Sequence, residues 1–135
     1  MNRFSRRAML CVAFLGVTLP VPAAAFDLSG AWATEAGLCD RVFMKKGGSV
    51  VFTELSDVFG SGFIIEGNRI RGRNARCTIK SRKESGDSVD LVADCATSIM
   101  NQSVRFNLKI IDDNNLTRLF PEIQGMTMKY TRCSI

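Results

Sequence analysis

Histidine is missing from all 135 residues. Without an imidazole the chain has no Ser–His or Cys–His nucleophile pair and no His-ligated metal site, so acid–base work would fall to Asp, Glu, Lys, Tyr or Cys. Those residues form no catalytic constellation either. Asp112-Asp113 reads as part of a turn, and Asp90 and Asp94 fall on the wet face of an alternating strand. Long hydrophobic runs are absent too: Ala8 to Val21 is only about fourteen residues and contains Pro20, against the ~20 that span a bilayer. Helical periodicity is scarce after residue 26, apart from a short stretch around Thr97 to Asn101. What remains, 46% apolar and 23% charged, is the composition of one globular domain. The chain reads as non-enzymatic, with no cofactor and no metal.

The first twenty-five residues read as an address. Arg3, Arg6 and Arg7 precede the apolar run without an acidic residue, and Ala23-Ala24-Ala25 supplies the small residues of a cleavage site. Ser5-Arg6-Arg7-Ala8-Met9-Leu10 also fits a twin-arginine signal, so either general or twin-arginine export serves. Cys11 stands at the start of the apolar run, where a lipid-modified cysteine would not be. Residues 1–25 are therefore expected to be cleaved, leaving 26–135 as the domain, in a bacterial periplasm or secreted and without a membrane anchor. Cleavage removes three basic residues, so eighteen Lys/Arg become fifteen against thirteen Asp/Glu, a net charge of +2. That is weak attraction for nucleic acid. Five cysteines become four (Cys39, Cys77, Cys95 and Cys133), an even number that reads as two disulfides in a short exported chain. No C-x-x-C pair exists to suggest zinc.

Alternation with a period of two is repeated along the domain. Val104, Phe106, Leu108 and Ile110 share one face, against Arg105, Asn107 and Lys109 on the other. Val89, Leu91, Ala93 and Cys95 repeat the pattern, as do Met126, Met128 and Tyr130. Gly67-Asn68 between Phe63–Glu66 and Arg69–Arg71 predicts a two-residue hairpin pairing Ile65 with Ile70 and Glu66 with Arg69. Ser85-Gly86-Asp87, Asp112 to Asn115 and Gly47-Gly48 mark further turns. Eight or nine short strands with no break in composition predict an all-β fold, a single antiparallel meander closing into a small eight-stranded barrel. A β-sandwich is the alternative.

Asp27-Leu28-Ser29-Gly30-Ala31-Trp32 opens the domain with its only Trp. Gly-x-Trp on the first strand of a small barrel resembles the lipocalin and calycin signature. That resemblance implies that Trp32 closes one end and that an arginine of the last strand covers its ring; Arg132 is the candidate. Leu28 to Trp32 followed by Cys39-Asp40-Arg41, with Gly72 to Lys80 around a second cysteine, is similar to the alkaline proteinase inhibitor family of small periplasmic barrels. The similarity covers the N-terminal part of the domain only. It implies a protein partner, a secreted metalloprotease, and contact through the N-terminal residues Phe26, Asp27 and Leu28, a short segment for that task. It also implies the pairs Cys39–Cys77 and Cys95–Cys133.

The cysteines read by themselves leave the pairing open among three connectivities. Arg76-Cys77-Thr78-Ile79 and Arg132-Cys133-Ser134-Ile135 look alike, which suits two similar loops closed as 39–77 and 95–133. Against that, Cys77 and Cys95 flank Gly86 almost symmetrically, so a hairpin would bring them together. Arg69, Arg71 and Arg73 are expected on one strand face as a candidate anion patch, with a solvated hairpin face as the plainer account. Aromatics do not interleave with them, as a single-strand nucleic-acid platform requires. The methionines Met44, Met100, Met126 and Met128 are expected to fill gaps in the core or to line an apolar pocket. The expected role is binding by a monomer: a protein partner as in the inhibitor family, alternatively a small apolar ligand carried in the barrel, or a structural role in the envelope.

Overall fold

A computed structural model describes residues 16–135. Residues 16–25 carry no regular structure and are exposed, and the basic start of the predicted signal lies outside the described residues. The chain then forms ten strands: β1 (Gly30–Ala33), β2 (Phe43–Lys46), β3 (Ser49–Phe52), β4 (Gly62–Glu66), β5 (Arg69–Arg71), β6 (Arg76–Ser85), β7 (Ser88–Ala96), β8 (Asn101–Asp112), β9 (Asn115–Leu119) and β10 (Thr127–Cys133). Eight of them close a barrel in the order β1-β10-β9-β8-β7-β6-β5-β4, every pairing antiparallel. The expected barrel is the one formed, not the sandwich. The predicted hairpin register also holds, with Ile65 opposite Ile70 and Glu66 opposite Arg69. The ion pair of that hairpin runs diagonally, from Arg71 to Glu66 at 2.9 Å.

β2 and β3 leave the barrel and pair only with each other. Their hairpin and the single helical turn α1 (Cys39–Val42) pack on the outer face of the wall. There Ala31, Ala33, Val42, Phe43, Ile64 and Cys133 make a second core, separate from the interior one. Two-sided burial explains why Ala31-Trp32-Ala33 and Phe63-Ile64-Ile65 are unbroken apolar runs. Trp32, Phe63 and Ile65 point in, whereas Ala31, Ala33 and Ile64 point out beneath the ribbon. Gly62 makes that approach possible. A Cβ there would stand 2.6 Å from the Trp32 carbonyl and 2.8 Å from the Phe43 ring. The helical turn falls at Cys39–Val42, not near Thr97, where the Thr97–Met100 segment is a turn stitched by the amide of Thr97 donating to Met100 O at 2.9 Å. Among the described residues no helix is long and apolar enough to cross a membrane.

Both disulfides form, and the expected pairing is corrected. The bonds are Cys77–Cys95 and Cys39–Cys133. Cys77 stands directly opposite Cys95 in the β6–β7 hairpin, with Cα atoms 4.0 Å apart, inside the barrel. Cys39 lies outside the barrel on α1, beside the outward-facing Cys133 of β10, so the wall separates it from Cys77. Nor does Cys95 border Cys133, because β8 and β9 stand between β7 and β10. The hairpin symmetry about Gly86 was the informative signal and the likeness of the two flanking tetrapeptides was not. Two disulfides belong to a chain that matures in an oxidising, exported environment.

Candidate functional site

The barrel has two differently built ends. The β4–β5, β6–β7 and β8–β9 turns lie at one, which the N-terminal segment crosses; we term it the closed end. Leu28 is buried there, and the indole Nε1 of Trp32 donates to its carbonyl at 2.9 Å. Trp32 is wholly buried, and the Arg132 guanidinium lies over its ring at 4.4 Å, the arrangement implied by the Gly-x-Trp opening. Arg132 also donates to the carbonyls of Asp27 (2.7 Å), Asp113 (3.0 Å) and Ser29. Gly30 adopts φ of +119°, a conformation side chains avoid, and its bare Cα leaves room for the Arg132 side chain, 3.4 Å from where a Cβ would sit.

The same end is tied from a second side. Arg82 and Glu84 pair with each other on the β6 wall, and the Phe26 backbone is held between them. Its amide donates to Glu84 at 3.2 Å and its carbonyl accepts from Arg82. The bond to Arg82 holds the Glu84 carboxyl below its usual pKa despite partial desolvation. The Ser29 amide, donating at 2.9 Å, does the same for Asp27, aided by the nearby charge of Arg132. Phe26, Asp27 and Leu28 are thus part of the barrel's closure rather than a free arm.

The proposed anion patch does not assemble. Arg71 donates to Val50 O at 2.9 Å as well as to Glu66, and Arg73 donates to the Ser56 hydroxyl at 3.0 Å and to the carbonyls of Thr53 and Glu54. Arg73 also lies beyond β5, in the turn that leads to β6, and so is not on one strand face with Arg69. Arg71 thus ties β3, and Arg73 the β3–β4 loop, to the wall, and of the three only Arg69 makes no such bond. The methionines correct a second expectation. Met44, Met100 and Met126 are exposed, and only Met128 packs against the interior core.

At the loop end the connections β3–β4, β5–β6, β7–β8 and β9–β10 gather. Exposed apolar side chains concentrate on them: Leu55 and Val58, Ile99 and Met100, Ile123 and Met126. The β3–β4 loop that presents Leu55 and Val58 is stiffened by successive turns and by the bonds from Arg73, with Ser56 buried beneath it. The interior below is occupied by side chains. Phe63 lies against Trp32 at 6.5 Å and edge-on to Tyr130 at 4.8 Å, with Leu91, Leu108 and Leu116 buried around them.

Arg118 is the residue that sequence reading missed at this end. It stands opposite Leu108 and Met128 and therefore faces inward. Its guanidinium lies 4.3 Å from the Phe106 ring centroid and 4.5 Å from that of Phe120. Burial lowers its pKa from the ordinary arginine value, against the opposing pull of the nearby Tyr130 oxygen. The same burial raises the Tyr130 phenol. The signal was available: Leu116, Arg118 and Phe120 alternate, so a cation occupies a dry-face position of a strand.

Comparison of the chain with protein-family models, with curated proteins and with solved structures finds no match.

Proposed function

We propose that this is an exported, non-enzymatic binding protein, matured by signal cleavage in the periplasm or secreted, that engages a protein partner with the loop end of its barrel. The observation that carries the reading is the segregation of exposed apolar side chains. Leu55, Val58, Ile99, Met100, Ile123 and Met126 stand on loops of one end, whereas among the described residues from Phe26 onward the closed end carries only Ile111. Exposed apolar residues gathered on one face mark an interaction surface rather than chance. The likeness to the alkaline proteinase inhibitor family makes a secreted zinc metalloprotease the first partner to test. The inhibitory arm would have to differ, since Phe26 to Leu28 are bound to Arg82, Glu84 and Trp32. The stiffened β3–β4 loop is better placed for contact.

The test is an inhibition titration with the mature chain. Stoichiometric protein should slow the protease, and Leu55→Asp with Val58→Asp should abolish the effect while the fold, followed by circular dichroism, stays intact. No slowing at any ratio would remove the protease. If Trp32 fluorescence then responds to a fatty acid, the carrier reading takes its place. Silence in both assays would favour a structural role in the envelope.

A further inference from the structure

Four other arginines that pack against the barrel are satisfied from within. Arg132 has three carbonyls, Arg82 has Glu84 and the Phe26 carbonyl, Arg71 has Glu66 and Val50 O, and Arg73 holds the β3–β4 loop. Arg118 is different. Among the described residues it makes no ion pair, and its Nε is completely buried without a hydrogen-bond partner. A buried donor left unpaired is costly, more so when it is charged. Replacing it by an apolar residue of the same length would leave the Phe106 and Phe120 contacts largely in place. A cation kept in such a position therefore points to a partner from outside the chain.

The surroundings select the chemistry of that partner. Phe106, Phe120 and Met128 make an apolar lining, in which a singly charged carboxylate is easier to dehydrate than a doubly charged phosphate. A guanidinium presents a planar fork that a carboxylate matches with two parallel hydrogen bonds. Tyr130, buried beside it, donates its hydroxyl to Met128 Sδ at 2.9 Å and turns a neutral oxygen toward the guanidinium, so the charge of Arg118 is solvated in part but has no carboxylate within ion-pair distance among the described residues. Beyond the lining stand Ile123 and Met126, which suit an apolar continuation of the ligand.

We infer that Arg118 is the anchor of an anion site at the loop end, taking a carboxylate attached to an apolar group. The inference rests on the loop end being the binding surface. The carboxylate could be free, as in a medium-chain fatty acid, or belong to the partner's own chain, and the two sources share this chemistry.

The Nε–H resonance of Arg118 in an arginine side-chain NMR spectrum reads the site directly, with decanoate and acetyl-Leu-Leu free acid as probes and decanol and acetyl-Leu-Leu amide as neutral controls. A saturable shift with at least one acid and with neither control supports the anchor, and the acid that binds more tightly identifies the source. Arg118→Lys should weaken that acid by about tenfold and Arg118→Met by more, because the charge-assisted bonds are lost. Equal binding of acids and controls, no shift with either acid, or undiminished affinity in Arg118→Met would overturn it. Failure here with loss of protease slowing in the Leu55→Asp, Val58→Asp variant removes the anchor alone. Acid binding at Arg118 with no protease slowed removes the protein-docking reading alone.

Discussion

Arg132 and Arg118 both sit on the last two barrel strands, both face the interior, and both lie against aromatic rings, 4.4 Å from Trp32 and 4.3 Å from Phe106. Their hydrogen bonding separates them. Arg132 spends its donors on three backbone carbonyls that belong to the N-terminal segment and the β8–β9 turn, so it sews separate parts of the chain together. Arg118 bonds no backbone carbonyl and leaves its Nε without a partner. The same residue type against the same kind of ring is thus structural where its donors are consumed and available where they are not. Unsatisfied chemistry, rather than residue identity, is what distinguishes the loop end.

That comparison can be broken or sharpened by substitution. The largest expected effect is Trp32→Ala, which empties a wholly buried site at the closed end and should lower unfolding free energy by about 3–5 kcal/mol in urea titrations. Arg132→Met should follow at about 2 kcal/mol, through lost charge-assisted bonds and the cation–π contact. Arg118→Met should stay within about 0.5 kcal/mol of the parent, or stabilise, because a buried donor without a partner leaves with it. Equal losses at the two arginines would erase the distinction. The smallest effect concerns Asp27. Its pKa is depressed in the fold, first by the Ser29 amide, so its contribution is present above the ordinary aspartate value and is lost as pH falls through the lowered one. Asp27→Asn should therefore lower the urea midpoint slightly at neutral pH and converge on the parent in acid.

Much of the frame was legible because turns and alternation are local. The two-residue Gly67-Asn68 turn fixes its own register, and Ile65 meets Ile70 as the pattern requires. Trp32 and Arg132 were legible from the Gly-x-Trp opening and from strand parity. The basic cluster misled because a count of charges carries no information on which carbonyls lie nearby; Arg71 and Arg73 are consumed by β3 and the loop that follows it, some twenty residues away in sequence. The outer core was hidden for a similar reason. A continuous apolar run such as Phe63-Ile64-Ile65 announces burial on both faces without naming what covers the second. Cys39 could be paired only once α1 was known to lie outside the wall.

The Cys39–Cys133 bond spans 94 residues of sequence and turns the stretch between them into a covalent ring. Tension applied to Phe26 and Ile135 would run through that bond and bypass β2 to β10. The only barrel strand outside the ring is β1, which bears Trp32. Under load the molecule would thus yield by peeling away its first strand, unplugging the closed end while the remaining wall stays unstretched. Reduction of the bond removes that shield, so pulling a single molecule with and without reductant should lengthen the extension released by the whole of the ring.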